Sequence, residues 1–237
     1  MRAVILAAGR GSRMKHLTDE RPKCLIEVRG MALLDRQLES LRTAGIMEIA
    51  VVTGYMRELL ADRGLVEFHN ARWAETNMVS SLACAEDWMR VEPCIVSYSD
   101  IFYGPAAVRS LMTCDASLAV TYDPDWQALW TQRFGDPLFD AETFRLTPER
   151  TLADIGKRPT SVDEVQGQYM GLLRFTPEGW AEVTRVRAGL TSDQRDTMHM
   201  TGTLQGVIVA GRVAIAAVPY TGEWGEVDSA DDLDAYQ

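Results

Sequence analysis

Two cations stand at a fixed distance along a loop of small residues. Arg13 follows Ala7-Ala8-Gly9-Arg10-Gly11-Ser12, and Lys23 lies ten residues further on in Pro22-Lys23-Cys24-Leu25. Small side chains after an apolar run let backbone N–H groups approach a polyphosphate, and two glycines permit the dihedral angles such a cradle needs. Arginine offers a planar fork to phosphate oxygens and lysine a compact point charge. The pair therefore suits clamping a triphosphate and neutralising charge that builds at its α-phosphorus. The string fails as a dinucleotide fingerprint, because Met14 stands where a third glycine belongs, and no Gly-Lys-Ser/Thr follows to make a P-loop. Leu6, Ala8, Gly9, Gly11, Ser12, Arg13 and Lys23 are the residues expected against the nucleotide, with Lys23 and Arg13 carrying the catalysis.

Two aspartates could hold a divalent cation. Asp100 ends the run Ile95-Val96-Ser97-Tyr98-Ser99, and Asp228 lies in Trp224-Gly225-Glu226-Val227-Asp228-Ser229. An aspartate just past a strand of an open parallel sheet lies at the carboxyl edge where ligands bind, and Mg²⁺ takes hard oxygen ligands. It could equally form a turn or cap a helix. Asp231, Asp232 and Asp234 read instead as a solvated acidic face in the first turns of a closing helix. His16, His69 and His199 read as surface or structural histidines, and Lys15 as a rim residue. Cys24, Cys84, Cys94 and Cys114 lack metal-ligand spacing and read as small buried hydrophobes, only Cys24 lying near a ligand.

The string Leu6-Ala7-Ala8-Gly9-x-Gly11-x-Arg13-Met14, then Thr18-Asp19 and Arg21-Pro22-Lys23-Cys24-Leu25, resembles the opening of the nucleoside-triphosphate transferase family. That family joins a phosphorylated small molecule to a nucleoside monophosphate. Glu75-Thr76-Asn77-Met78-Val79-Ser80-Ser81-Leu82 is similar to its cytidylyltransferase branch, typified by phosphocholine cytidylyltransferases of bacterial surface polymers. The resemblance implies a Rossmann-like α/β domain, CTP as nucleotide, and Mg²⁺ on Asp100 and Asp228. It also implies Thr76, Asn77, Ser81 and Ser99 at the nucleotide. Lys157 in Ile155-Gly156-Lys157-Arg158-Pro159 matches the family's acceptor lysine and is one of only three lysines beside 21 arginines. Gln168, Tyr169 and Glu226 are assigned to the acceptor side with it.

The acceptor's identity is expected to lie in Asp125-Trp126-Gln127-Ala128-Leu129-Trp130-Thr131-Gln132-Arg133-Phe134 and Pro137-Leu138-Phe139-Asp140-Ala141-Glu142. Trp126 and Trp130 share a helical face. They could pack a core, form a cation–π cage for a quaternary ammonium, or close over an anionic acceptor held by Arg133. Both strings are similar to a subgroup that includes phosphoglutamine cytidylyltransferases of capsule pathways and phosphonoformate cytidylyltransferases of phosphonate and phosphinate antibiotic pathways. This implies a carboxylate-bearing acceptor, phosphonoformate first. A nucleotide-sensing subunit without chemistry is the reading from another class, and the joint presence of Lys23, Asp100 and Asp228 speaks against it.

These groups need a frame. Apolar strand runs (3–6, 48–52, 65–69, 94–97) alternate with helical spacing (33–44, 54–62, 80–90), which predicts a mostly parallel sheet covered by helices on both faces. Residues 123–168 are more polar and less regular, and are read as an insertion over the acceptor pocket. Residues 207–209 and 213–218 are read as a hairpin, followed by a short acidic helix. The 237 residues, 46% of them hydrophobic, suit a single domain without repeats or linkers. A formal charge of −10 disfavours nucleic acid and anionic membranes as partners. The composition shows no signal peptide or long apolar span, so a reducing cytoplasm is expected.

Overall fold

The computed structural model describes residues 1–236. Strand β1 (Arg2–Ala7) runs into the glycine loop, and a small ladder of β2 (Glu27–Val28) with β3 (Met31–Ala32) leads to helix α1 (Leu33–Thr43). Strands β4 (Ile49–Thr53) and β5 (Val66–His69), helices α2 (Met78–Ala83) and α3 (Glu86–Met89), and strand β6 (Cys94–Tyr98) complete the first half. Next come β7 (Ile101–Tyr103), α4 (Pro105–Met112), β8 (Leu118–Asp123) and α5 (Trp126–Phe134). The β9 (Phe144–Leu146) and β10 (Leu152–Ile155) ladder and β11 (Gln168–Phe175) follow. Helices α6 (Pro177–Ala188), α7 (Ser192–Thr197) and α8 (Met200–Ala210), strands β12 (Ile215–Pro219) and β13 (Trp224–Glu226), and α9 (Asp232–Ala235) close the chain.

Seven strands form one sheet in the order β12-β8-β11-β6-β1-β4-β5, all parallel to their neighbours except β11, which runs antiparallel to β6 and β8. Alternation along β1 serves two layers. Ala3, Ile5 and Ala7 pack with Leu34, Leu38 and Leu41 of α1 and Val108 of α4, whereas Val4 and Leu6 pack with Leu82 of α2, Val183 of α6 and Leu204 of α8. Helices therefore cover both faces, as the residue pattern predicts. The carboxyl ends of β1, β4 and β6 meet at one edge. Because β11 is reversed, its first residues, Gln168 and Tyr169, arrive there too, opposite Asp123 and Tyr122 of β8.

Four expectations are corrected. Val207–Val209 lie inside α8, which ends at Gly211 with φ 64°, and β12 pairs with β8 across the molecule, so residues 207–218 form no hairpin. The β-branched run suggested a strand; packing of Met200, Leu204 and Val207 at helical spacing decides otherwise. The helix read over 80–90 breaks at Ala85 into α2 and α3. Residues 54–62 supply only a single 3₁₀ turn, Arg57–Leu60. The segment 123–168 carries a nine-residue helix and a ladder, more regular structure than its polarity suggested.

Candidate active site

Gly11 takes φ 71°, and a Cβ there would stand 2.9 Å from Cβ and Cδ of Lys23. The glycine thus clears the path along which the lysine stem passes inward. Lys23 opens a short 3₁₀ turn after Pro22, and its side chain is only 9% exposed. Its Nζ donates to Asp100 Oδ2 at 2.8 Å and to Asp228 Oδ1 at 2.5 Å. Burial opposes the ammonium charge, but the two carboxylates outweigh it and raise the Lys23 pKa above that of an ordinary lysine. Arg13 Nη1 reaches Asp228 Oδ2 at 3.1 Å from the solvent side.

The two aspartates are 128 positions apart and are joined by backbone. β13 pairs antiparallel with β7, setting Glu226 opposite Ile101, and the Val227 N–H donates to Asp100 C=O at 2.9 Å. Glu226, assigned to the acceptor from sequence, thereby joins Asp100 and Asp228, with one carboxylate oxygen from each lying within 4.8 Å of the others. Burial first, then the charges of Asp228 and Asp100, push the Glu226 carboxyl up to about 8. Asp100 Oδ1 is buried and has no hydrogen-bond partner among the described residues. Hard oxygens so arranged, one of them unsatisfied, fit a small divalent cation.

Leu6, Ala8, Gly9, Gly11, Ser12, Arg13, Lys23, Thr76, Asn77, Ser81 and Ser99 line one cavity of about 280 Å³. Asn77 caps α2 through its side chain, which accepts from the Met78 N–H. Buried Asn70 donates to the hydroxyls of Thr76 and Ser81, both at 2.9 Å, and so fixes that wall. A second cavity of about 380 Å³ is lined by Lys157, Gln168, Tyr169 and Glu226 together with Asp140, Glu142, Arg158, His199 and Thr201. Arg13, Met78, Tyr98 and Asp228 belong to both.

A MobA-like NTP transferase domain matches residues 3–158. The chain belongs to that family. Its likeness falls on the cytidylyltransferase branch: a CTP:phosphoglutamine cytidylyltransferase of Campylobacter jejuni is 37% identical over 99% of this chain and 98% of its own length. A 2-aminoethylphosphonate cytidylyltransferase of Lancefieldella rimae is 36% identical over 43% of this chain and 44% of its own. The solved inositol-1-phosphate CTP transferase from T. maritima has the same fold, with TM-score 0.77 at 19% identity over 99% of this chain and 94% of that one.

Three acceptor residues expected in this NTP transferase lie elsewhere. Trp126 and Trp130 are core: the Trp126 indole donates to Val165 C=O, and Trp130 stacks on Trp224 at 5.9 Å. The apolar face of α5 is their physical reason, since two indoles gain more from burial than from facing water. Arg133 is also sealed, its side chain 0% exposed and its Nε donating to Asp232 Oδ1 at 2.9 Å. Asp232 is correspondingly a buried partner, against the solvated face expected of it. His199 is exposed and paired, as a surface histidine should be, and it also lines the second cavity, with Nδ1 3.0 Å from Asn77 Nδ2. Lys157 is paired with Asp154 in the NTP transferase fold, and Cys24 is buried, which pushes its thiol up to about 12.

Sequence reasoning missed Asn70, Trp73, Tyr98, Asp140 and Glu142. Asp140 and Glu142 stood in a string already singled out, and Tyr98 immediately precedes Ser99-Asp100. Trp73, which also lines the first cavity, had a signal only in three dimensions: a Cβ on Gly54 would lie 2.5 Å from both Trp73 Cβ and the Ala8 carbonyl oxygen.

Proposed function

We propose that the protein transfers a cytidylyl group from CTP to a small phosphate or phosphonate acceptor and releases pyrophosphate. The observation that carries this reading is the junction of two cavities at Arg13 and Asp228, one backed by the glycine loop and Lys23, the other by Lys157 and Arg158. CTP occupies the first and the acceptor the second. An acceptor oxyanion attacks the α-phosphorus in line; the new P–O bond forms as the bond to the bridging oxygen breaks, and its electron pair leaves with pyrophosphate. A phosphoryl oxygen is already ionised at neutral pH, so positioning and charge neutralisation by Lys23 and Arg13 suffice without a general base. Asp100, Glu226 and Asp228 would hold a divalent cation, Mg²⁺ in this reading, which would supply further neutralisation at the triphosphate.

Asp140 and Glu142 narrow the acceptor. Partial desolvation in the cavity wall raises both carboxyls above their ordinary range although both residues remain exposed, and among the described residues neither has an ion-pair partner. A substrate nitrogen bearing positive charge would complete them, which favours an acceptor that combines a phosphoryl group with an amine. Similarity to phosphoglutamine and aminoethylphosphonate enzymes supports this class. Arg13, Lys157 and Arg158 on the same wall favour phosphonoformate as the second reading, although the residue first expected to hold its carboxylate, Arg133, is out of reach.

Pyrophosphate release measured with four nucleoside triphosphates, each crossed against phosphoglutamine, phosphocholine, 2-aminoethylphosphonate and phosphonoformate, tests both levels. CTP with a nitrogen-bearing acceptor is the expected pair. Turnover with phosphonoformate alone would overturn the acceptor class, and none with CTP would overturn the reaction.

A further inference from the structure

Asp232 uses its two oxygens on different partners. Oδ1 accepts from Arg133 Nε at 2.9 Å, while Oδ2 accepts from the backbone N–H of Asp228 at 2.9 Å, the N–H of Ser229 at 2.8 Å and the Ser229 hydroxyl at 3.1 Å. Were the pair there only to bind α5 to α9, the second oxygen would be free. Instead it holds the backbone that carries Asp228.

Arg133 meets the same loop from the other side. Its Nη1 lies 3.6 Å from Glu226 Oε2, and its guanidinium carbon sits 4.7 Å from the ring centres of Trp130 and Phe134. Among the described residues neither Nη1 nor Nη2 has a hydrogen-bond partner, so the buried charge answers the surrounding carboxylates by position. Trp130, on the same helix, stacks on Trp224 of β13. Helix α5 thus braces both ends of the stretch 224–228, Trp130 at one end and Arg133 through Asp232 at the other.

We propose that Arg133 and Asp232 are positioning residues, a buried pair that sets Asp228 and Glu226 in the geometry their cation requires. The inference rests on the proposed function in one respect, that Asp228 and Glu226 hold a divalent cation. A carboxylate ligand whose main chain is released loses orientation, and removal of such outer partners lowers metal affinity by about 10–100-fold.

The test is Mn²⁺ binding, measured by electron paramagnetic resonance on the whole protein without nucleotide, with thermal unfolding recorded alongside. Asp232→Ala and Arg133→Met are each expected to weaken Mn²⁺ at least about tenfold, and their kcat to recover towards the parent value at high metal while the KM for acceptor stays near it. Arg133→Lys, which keeps a charge opposite Asp232 but loses the planar stack on Trp130 and Phe134, is expected to bind Mn²⁺ more tightly than Arg133→Met and less tightly than the parent. Should Asp232→Ala fail to fold, Asp232→Asn keeps an acceptor oxygen for the loop and isolates the charge. A parent that binds Mn²⁺ beside folded variants that bind it equally well, with only their melting temperatures lowered, would overturn the positioning role alone. A parent that binds no Mn²⁺ would remove the metal site of the proposed function and this inference with it.

Discussion

Lys23 sits 2.8 Å from Asp100 and 2.5 Å from Asp228, so its ammonium both balances those carboxylates and faces the cavity proposed for the nucleotide. Lys23→Ala is expected to lower turnover at least about a hundredfold, because stabilisation of transition-state charge is lost. Steady-state pyrophosphate release with a circular-dichroism check on folding measures it, and near-normal turnover would take Lys23 out of the mechanism. Glu142 supports a separate expectation. If it faces a substrate ammonium, Glu142→Gln should raise the KM of an amine-bearing acceptor about tenfold, the worth of one charge-assisted contact, and leave the KM for CTP unchanged. Equal KM values for that acceptor in parent and variant would refute the assignment. At this scale the nucleotide half was legible, because Gly9, Gly11, Arg13 and Lys23 lie within one short stretch whose chemistry is local. The proposed acceptor half was less so, since Asp140 and Glu142, neighbours in one string, meet His199 from a distant segment of the chain.

Helix α5 shows what spacing reveals and what it leaves open. Trp126 and Trp130 announce an apolar face, but only packing against Val165 and Trp224 decides that this face is core. Trp130→Ala is expected to destabilise the protein by about 3–5 kcal/mol, read by urea unfolding; a loss confined to acceptor affinity at unchanged stability would restore the cage reading. Asp232 was taken for a solvated acid because acids in a first helical turn usually are. Its arginine comes from 99 residues earlier, and no window along the chain spans that distance.

The sheet itself was largely readable, since fully apolar runs such as Val4–Leu6 and Ala50–Val52 admit helices on both sides and little else. The reversal of β11 and the parallel partner of β12 were not, because both depend on pairings chosen across the molecule. Stability as a whole should respond to one buried ionisation. Burial works against the Asp232 charge, but the hydrogen bond and charge of Arg133 outweigh it and hold the carboxyl below the usual aspartate range. A depressed carboxylate contributes stability above its unfolded pKa of about 4 and loses it as pH falls through the folded value. The melting-temperature gap between parent and Asp232→Asn is therefore expected to be widest at neutral pH and to narrow below about pH 4; a gap that stays constant on acidification would contradict the ionised pair. The second cavity adds a consequence for descent. Phe139–Glu142 and Gly156–Arg158 flank the β9–β10 ladder and give no strand to the main sheet. If the proposed roles hold, lineages can rewrite those two loops, and with them the preferred acceptor, while inheriting the nucleotide half intact. Arg13, Met78, Tyr98 and Asp228, held in common by both cavities, mark where that inheritance stops being divisible.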